Sequence, residues 1–169
     1  ITPGTIDIAG STENDENIFI ASVFATKTQI GIAYGDITTG ELSCMHLEYR
    51  HDLDSLISEL VKIAPKEIIY DESSLPENVL AALQDPQVQT YLNPVDSSYY
   101  RKALCEKTLM NQFQASSLIS LDLDGRTDLV LAAGSLLLYL GDTQKQQMEQ
   151  FKRLDIRESS NYMQLDRST

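Results

Sequence analysis

The stretch "IFIASVFATKTQIGIAYGDITTGELSCMHLEY", residues 18–49, decides the fold. It contains three β-rich runs, residues 18–25, 29–36 and 40–49, separated by "TKT" and "ITT". Connections this short are typical of hairpins, because a parallel return needs a crossover of a dozen residues or more. The stretch therefore predicts an antiparallel three-stranded meander.

Small residues mark one face of the second strand. Ile30, Ile32 and Tyr34 alternate with small residues, which are Gly31, Ala33 and Gly35. Since successive side chains of a strand point to opposite faces, one face is bulky and the other is nearly bare. The bare face predicts an element packed closely against the sheet.

After the meander the apolar period changes from two residues to about 3.6. Residues 51–65 carry an apolar stripe, with Asp52 as a cap and Pro65 as a stop. The remaining predicted elements are a strand at 66–71, a helix at 74–85, a strand at 88–92, a polar-faced helix at 97–113 and a helix at 127–147. A Ser74/Glu77 capping box would begin the helix at 74–85. The helix at 127–147 is apolar nearly all round, so Leu136, Leu137 and Leu140 should be buried.

This order of elements predicts the fold class. Three antiparallel strands followed by helix, strand, helix, strand and two helices give an α/β fold, in which a mixed sheet is covered by helices on both faces. Right-handed parallel crossovers then fix the topology. We expect a three-layer, ribonuclease H-like arrangement of an antiparallel meander plus parallel strands.

Composition limits the partners. The chain has 13 basic and 25 acidic residues and a net charge of -12, so its overall field should repel nucleic acid and favour a basic protein surface. No run of residues is long enough to span a membrane, which predicts a soluble protein. Cys44 and Cys105 lie far apart in the sequence, and we expect them to be buried free thiols.

A ribonuclease H-like order also raises the alternative of a metal-dependent nuclease, in which converging carboxylates hold two Mg²⁺ ions. The first strand has no acidic residue, and Asp36, Asp71 and Glu72 occupy turn positions, where we expect them to be solvated. Cys44 and His46 share a strand face within a run that is typical of a packed strand. We predict no catalytic, metal-binding or cofactor-binding residue, and the nuclease stays an alternative that a metal titration would test.

Five motifs occur in an order and spacing that resemble the MutS family of DNA mismatch-repair proteins. They cover essentially the whole chain and are "TPGT" (residues 2–5), "GIAYGDITTGEL" (31–42), "APKEIIYDES" (64–73), "AAGSLLLYLGDTQKQ" (132–146) and "YMQLDRST" (162–169). The last resembles the segment that leads into the core, or lever, domain of that family. The sequence is therefore expected to be a piece of a longer protein.

The resemblance implies three parts. Residues 1–17 would be an interdomain linker, residues 18–149 the connector domain, and residues 150–169 the truncated start of the lever domain. In this family the connector is non-catalytic, relays conformational change between the mismatch-binding and the lever and ATPase domains, and offers a docking surface for MutL. ATP and Mg²⁺ would bind elsewhere in the full-length protein.

The resemblance also implies partners and a site. Mismatched DNA would be contacted only through other domains, the full-length protein would be a homodimer, and it would act in the bacterial cytoplasm, associated with the nucleoid. Polar residues on the helix before "QF" are implicated in MutL docking, which corresponds here to Lys107 and Thr108, with Gln112 next to them. Lys107 and Thr108 depart from the amide-rich pair of the family.

Overall fold

A computed structural model describes residues 18–158, apart from the side chains of residues 145–147. Its strands are β1 Ile20–Ala25, β2 Gln29–Asp36, β3 Glu41–Glu48, β4 Glu67–Asp71, β5 Tyr91–Val95 and β6 Asp155–Ile156, and its helices are α1 Asp54–Ile63, α2 Glu77–Leu83, α3 Lys102–Phe113 and α4 Thr127–Thr143. Short 3-10 turns occupy Ser97–Tyr100, Ile119–Leu121 and Lys145–Gln150. The predicted linker, residues 1–17, lies outside the described residues.

The strands form one mixed sheet in the order β5-β4-β1-β2-β3-β6. Strands β1, β2 and β3 are antiparallel neighbours, as the short connections predicted, with Ile20 opposite Gly35 and Ile30 opposite Leu47. Strand β4 is parallel to β1 and to β5, and β6 is parallel to β3. The predicted α/β class with a mixed sheet is confirmed.

Each face of the sheet carries its own core. On one face, Ile30 and Ile32 pack with Leu56 and Leu60 of α1 and with Val79 of α2. On the other face lie residues of β2, β3, α3 and α4, among them Ala33, Cys44, Leu109 and Leu136. Helices therefore cover both faces and make three layers, and the prediction that Leu136, Leu137 and Leu140 are buried is confirmed.

The strand predicted at residues 88–92 lies further along the chain in the structure. Residues 88–92 were expected to form it, but β5 begins at Tyr91, while Val88 closes a turn by donating its N–H to the carbonyl of Asp85. Asn93 belongs to the strand and lies opposite Ile69 of β4, and its side-chain amide also reaches Glu67 Oε2 at 2.8 Å and Tyr139 Oη at 3.1 Å. Pro94 is tolerated because β5 is an edge strand. These contacts are tertiary, so the local pattern missed them.

The helix ends also differ from the sequence prediction. The Ser74/Glu77 capping box is not formed, because Ser74 Oγ donates to Asp71 Oδ2 at 2.8 Å and α2 begins only after Pro76. The N-cap of α1 is Leu53, and not Asp52 as predicted, although Asp52 Oδ1 accepts the N–H of Asp54 at 2.9 Å from the position before the cap. Helix α4 ends at Thr143, four residues before the predicted end, and continues as a 3-10 turn.

Helix α4 packs against the face of β2 that carries Gly31, Ala33 and Gly35. A Cβ atom added to Gly31 would lie 2.5 Å from the backbone oxygen of Asp128, closer than any real side chain comes. One added to Gly35 would meet the Phe151 ring at 3.4 Å. The predicted close packing is thus confirmed, and glycine at position 31 is what lets the first turn of α4 touch the sheet.

The close contact between the first turn of α4 and β2 buries a carboxylate. Asp128 is 3% exposed, and its Oδ2 has no hydrogen-bond partner among the described residues. His46 Nδ1 lies 3.7 Å from Asp128 Oδ2, and His46 is the residue of β3 opposite Gly31. Burial raises the pKa of Asp128 above the ordinary carboxyl value, and the nearby His46 partly opposes this shift.

Residues 148–157, here called the strap, return from the end of α4 to the sheet edge. The extended conformation predicted around Leu154 to Arg157 is confirmed, since Asp155–Ile156 forms β6 and pairs with Ser43 and Cys44. The second extended stretch expected, Tyr162 to Leu165, lies outside the described residues. The Phe151 side chain is 1% exposed and anchors the strap by packing in the α3/α4 core.

Leu137→Asp should unfold the protein. The Leu137 side chain is buried in the core between α4 and the sheet, so an aspartate there would be an unpaired buried charge and destabilise the fold by about 4 kcal/mol. Thermal unfolding followed by circular dichroism measures the effect. Val61→Asp, on an exposed position of α1, is the control and should shift the melting temperature little; an unchanged melting temperature for Leu137→Asp would contradict the burial of α4.

Asp128→Asn should remove a pH dependence. A carboxyl whose pKa is raised in the folded state stabilises the fold only while it is protonated, so stability falls as pH rises from the ordinary carboxyl pKa through the folded one. The amide does not titrate, and the variant should gain stability relative to the wild type between about pH 4 and pH 7. Urea unfolding at several pH values tests this, with Asp124→Asn, an exposed position, as control; parallel stability curves for wild type and Asp128→Asn would contradict it.

Candidate partner-docking surface

Helix α3 carries the three residues predicted to contact a partner. Its inner side is fixed by Cys105 and Leu109, one turn apart and both fully buried. A Cβ atom on Gly134 of α4 would lie 2.4 Å from Cys105 Cβ, so α3 and α4 cross at the closest distance that a glycine permits. The opposite side of α3 is therefore held rigidly toward solvent.

The structure places the predicted residues in two different settings. Lys107 is exposed, and Thr108 is half-buried with its Oγ1 donating to the carbonyl of Leu104 at 2.7 Å. Gln112 follows Thr108 by one helical turn, so these two share a side of α3. Lys107 thus presents its charge at the exposed surface, whereas the Gln112 side chain is partly buried in the fold.

Gln112 holds the strap. Its Nε2 donates to the carbonyl oxygens of Met148 and Phe151, both at 2.9 Å. An amide nitrogen has two hydrogens, so both are used in these bonds. The side chain is half-buried, and only its carbonyl oxygen remains for other contacts. The sequence indicated Gln112 as a surface contact and did not reveal this role, which depends on a residue 36 positions later.

A groove lies between α3 and α4 beside Thr108. Its volume is about 350 Å³, and its wall combines apolar groups with polar ones; the lining residues are Thr108, Asn111, Gln112, Leu137, Leu138, Gly141, Asp142 and Met148. A second hollow of about 430 Å³ opens past the end of α3 and is lined by Gln112, Phe113, Gln114, Met148, Glu149, Phe151 and Lys152. Gln112 and Met148 line both, so they form the ridge between the two depressions.

The turn that leads into α3 is anchored by buried hydroxyl groups. Ser22 Oγ lies 2.7 Å from Tyr100 Oη and 2.7 Å from Ser135 Oγ, and Ser135 Oγ donates to the carbonyl of Ala132 at 3.0 Å. Because Ser135 has one hydrogen and uses it on that carbonyl, Ser22 donates to Ser135 and Tyr100 donates to Ser22. Burial accordingly raises the pKa of Tyr100. This network ties β1, α4 and the start of α3 together.

The acidic residues weighed for a nuclease site do not converge. Asp36 lies beside the start of β1, where its Oδ2 accepts the N–H of Ile18, whereas Asp71 lies beside the end of β1. Five strand residues separate these levels, which is about 17 Å. Among residues 18–158 no group of three histidine, cysteine, aspartate or glutamate side chains is placed to hold a metal ion.

The expectation that Asp36 and Asp71 are solvated was wrong. Both are buried, at 1% and 5% exposure, although their turn roles are as predicted. Asp36 Oδ1 accepts the N–H and the hydroxyl of Thr38, and Asp71 accepts the hydroxyls of Ser73 and Ser74. These donors replace water around the carboxylates, so burial carries little penalty. Glu72 is exposed, as expected.

The two cysteines are buried free thiols, as predicted. Burial raises the pKa of each to about 12, so neither is a thiolate at neutral pH. Cys44 and His46 share a face of β3, as predicted, and Asp128 Oδ2 lies 3.7 Å from His46 Nδ1. A protonated thiol at 0% exposure is no nucleophile toward a dissolved substrate, which agrees with a packed strand.

Several basic side chains of the described region pair with acidic ones. Arg126 pairs with Asp122, Arg153 with Asp155 and Lys62 with Glu59, at 3.8, 3.5 and 3.5 Å. Such pairs leave little concentrated positive charge for a phosphate backbone. Within residues 18–158, no helix has the length and apolar character needed to cross a membrane.

Comparison with known proteins identifies the family. The family model described as MutS domain II matches residues 18–152. Proteins called DNA mismatch repair protein MutS match across the whole chain: 29% identity for Dehalococcoides mccartyi strain CBDB1, 27% for Acetivibrio thermocellus and 30% for Halothermothrix orenii. The chain spans 18% to 19% of the length of these relatives. It belongs to the MutS family, as a connector domain, or domain II, of a DNA mismatch-repair protein.

Proposed function

We propose that this chain is the non-catalytic connector of a MutS-type mismatch-repair ATPase. In this role it relays conformational change between the mismatch-binding domain and the lever and ATPase domains, and it offers a docking surface for a MutL-type protein. The observation that carries the proposal is the match of residues 18–152 to MutS domain II. The layered sheet, with its meander followed by parallel strands, is consistent with the ribonuclease H-like arrangement that we propose for it.

The proposal assigns the remaining functions to other parts of the full-length protein. Residues 1–17 would link the connector to the mismatch-binding domain, residues 18–149 would form the connector together with the strap packed on its sheet, and the lever domain would begin in the remainder of residues 150–169. ATP, Mg²⁺ and mismatched DNA would bind outside this fragment, and the full-length protein would act as a homodimer in the cytoplasm, near the nucleoid.

Helix α3 is the docking surface that we favour. Its inner side is immobilised against α4, Lys107 stands free at the surface, and Leu104 is exposed one turn before Thr108. A rigid helix with a mixed apolar and polar outer side suits a small, transient interface, because little side-chain ordering is needed on binding. We expect roughly micromolar or weaker affinity for the isolated fragment. The net charge of -12 would steer a basic partner toward it.

Replacing Lys107 and Thr108 together by glutamate should weaken docking about tenfold or more, because the Lys107 ammonium is lost from the contact and two hydrated carboxylates must be desolvated there, a local cost that outweighs their added attraction for a basic partner. Titration of the N-terminal region of the cognate MutL-type protein, followed by backbone amide shifts, measures this. In the wild type, shifts should cluster on Lys107, Thr108 and their exposed neighbours and diminish as salt is raised.

The chain supplies a matched control for this variant. Lys27 and Thr28 form the same dipeptide in the exposed turn between β1 and β2, outside α3. Replacing them by glutamate makes the same change in net charge and should leave docking unaltered. If both variants weaken docking equally, the effect is one of net charge and not of a contact on α3. If saturable shifts are confined to the α1/α2 side of the sheet, the docking surface lies on that side instead.

Metal-dependent nuclease activity should be absent. Asp36 and Asp71 lie at opposite ends of β1, too far apart to share two Mg²⁺ ions about 4 Å apart. Incubation with labelled hybrid, single-stranded and mismatched duplex substrates plus Mn²⁺ tests this. Cleavage that needs the metal and disappears in Asp36→Asn, shown by circular dichroism to be folded, would establish the nuclease instead.

A further inference from the structure

Gln112 is placed to do more than fill a position on the docking helix. Its amide joins α3 to the strap, residues 148–157, through the carbonyl oxygens of Met148 and Phe151. Thr108, one turn earlier, lines the same groove as Gln112 and Met148. A partner lying along Thr108 would therefore cover the two hydrogen bonds that hold the strap.

The strap is attached to the sheet at several further points. The Phe151 ring is buried against Gly35, and the backbone of Gln150 crosses Gly40, where an added Cβ would lie 2.3 Å from the Gln150 carbonyl oxygen. At its far end β6 pairs with β3, and Arg157 donates its N–H to the carbonyl of Cys44 at 2.8 Å. The strap thus runs in one continuous path from α3 to the edge of the sheet.

We propose that Gln112 couples docking on α3 to the strap: an occupied α3 surface favours the state in which both Gln112 hydrogen bonds are made and residues 148–157 are held on the sheet. This inference rests on the proposed docking function and assigns its relay to one side chain. The physical reason is exclusion of water, because covering the groove strengthens the amide–carbonyl bonds in its wall and leaves no solvent to replace them.

Coupling of this kind is reciprocal. If docking stabilises the attached strap, then detaching the strap weakens docking by the same factor. The two effects can be measured separately in the 169-residue chain. Hydrogen exchange of amides in residues 148–157 reports the strap, and titration of the MutL-type N-terminal region reports docking.

Gln112→Leu removes both donors and keeps a side chain of similar length. Without partner, it should speed exchange in residues 148–157 by roughly tenfold, the effect of losing about 1.4 kcal/mol of hydrogen bonding, while exchange in β2 stays unchanged. Gln84→Leu, an exposed amide at the end of α2, is the matched control and should change neither. Unchanged strap exchange in Gln112→Leu overturns the proposal.

With saturating partner, strap exchange should slow in the wild type and not in Gln112→Leu. A second pair of variants separates coupling from a direct contact at Gln112. Arg157→Pro removes the N–H that bonds to Cys44 at the far end of the strap, whereas Arg157→Ala keeps it. Where hydrogen exchange shows the strap detached in Arg157→Pro and attached in Arg157→Ala, coupling predicts weaker docking for Arg157→Pro, by at most the factor by which partner binding slows strap exchange.

The outcomes are distinguishable. Docking that is weakened by Gln112→Leu but equal for the two Arg157 variants would make Gln112 a contact residue and overturn the coupling alone. Docking without any change of strap exchange would do the same and leave the docking function standing. No binding of the partner to the wild type would overturn the proposed docking function and the coupling together, even with the strap held by Gln112.

Discussion

The close approach of α4 to its neighbours is the constraint on which the rest of the structure depends. At Gly31 the first turn of α4 touches the sheet, and at Gly134 the middle of α4 touches α3, each at a distance that leaves no room for a Cβ atom. Two glycines on different elements thereby fix both the height of α4 above the sheet and its crossing with α3. The orientation of the docking helix follows from these two contacts.

The same approach determines where buried polar groups are tolerated. The hydroxyl network of Ser22, Tyr100 and Ser135 is fully satisfied, and it adds directional bonds between β1, α4 and the turn before α3. Asp128 is different, because the contact at Gly31 removes it from water while its Oδ2 has no hydrogen-bond partner among residues 18–158. The fold keeps this unfavourable carboxylate as a consequence of packing a helix start directly on a strand.

In the proposed role as a relay, the connector would have to be rigid within itself while it passes a conformational change to its neighbours. Here rigidity comes from two separate cores on the two faces of one sheet, and the α3/α4 core extends to Phe151, beyond the last helix. The strap is therefore part of the packed unit, up to and including β6. Movement of the strap relative to α3 requires breaking identifiable hydrogen bonds, which gives a relay through Gln112 a defined physical element.

The sequence by itself determined the class of fold. The period-two runs of β1 to β3, their short connections and the apolar stripe of α1 are local signals, and Gly31 even indicated the close packing of an unnamed element. Tertiary structure alone decided which element that was. It also decided where β5 begins, that Asp36 is buried, and that Gln112 bonds to the strap, because each depends on groups brought together from distant positions. Periodicity reports which face of a segment is apolar, whereas partners for individual polar atoms exist only once the layers are packed.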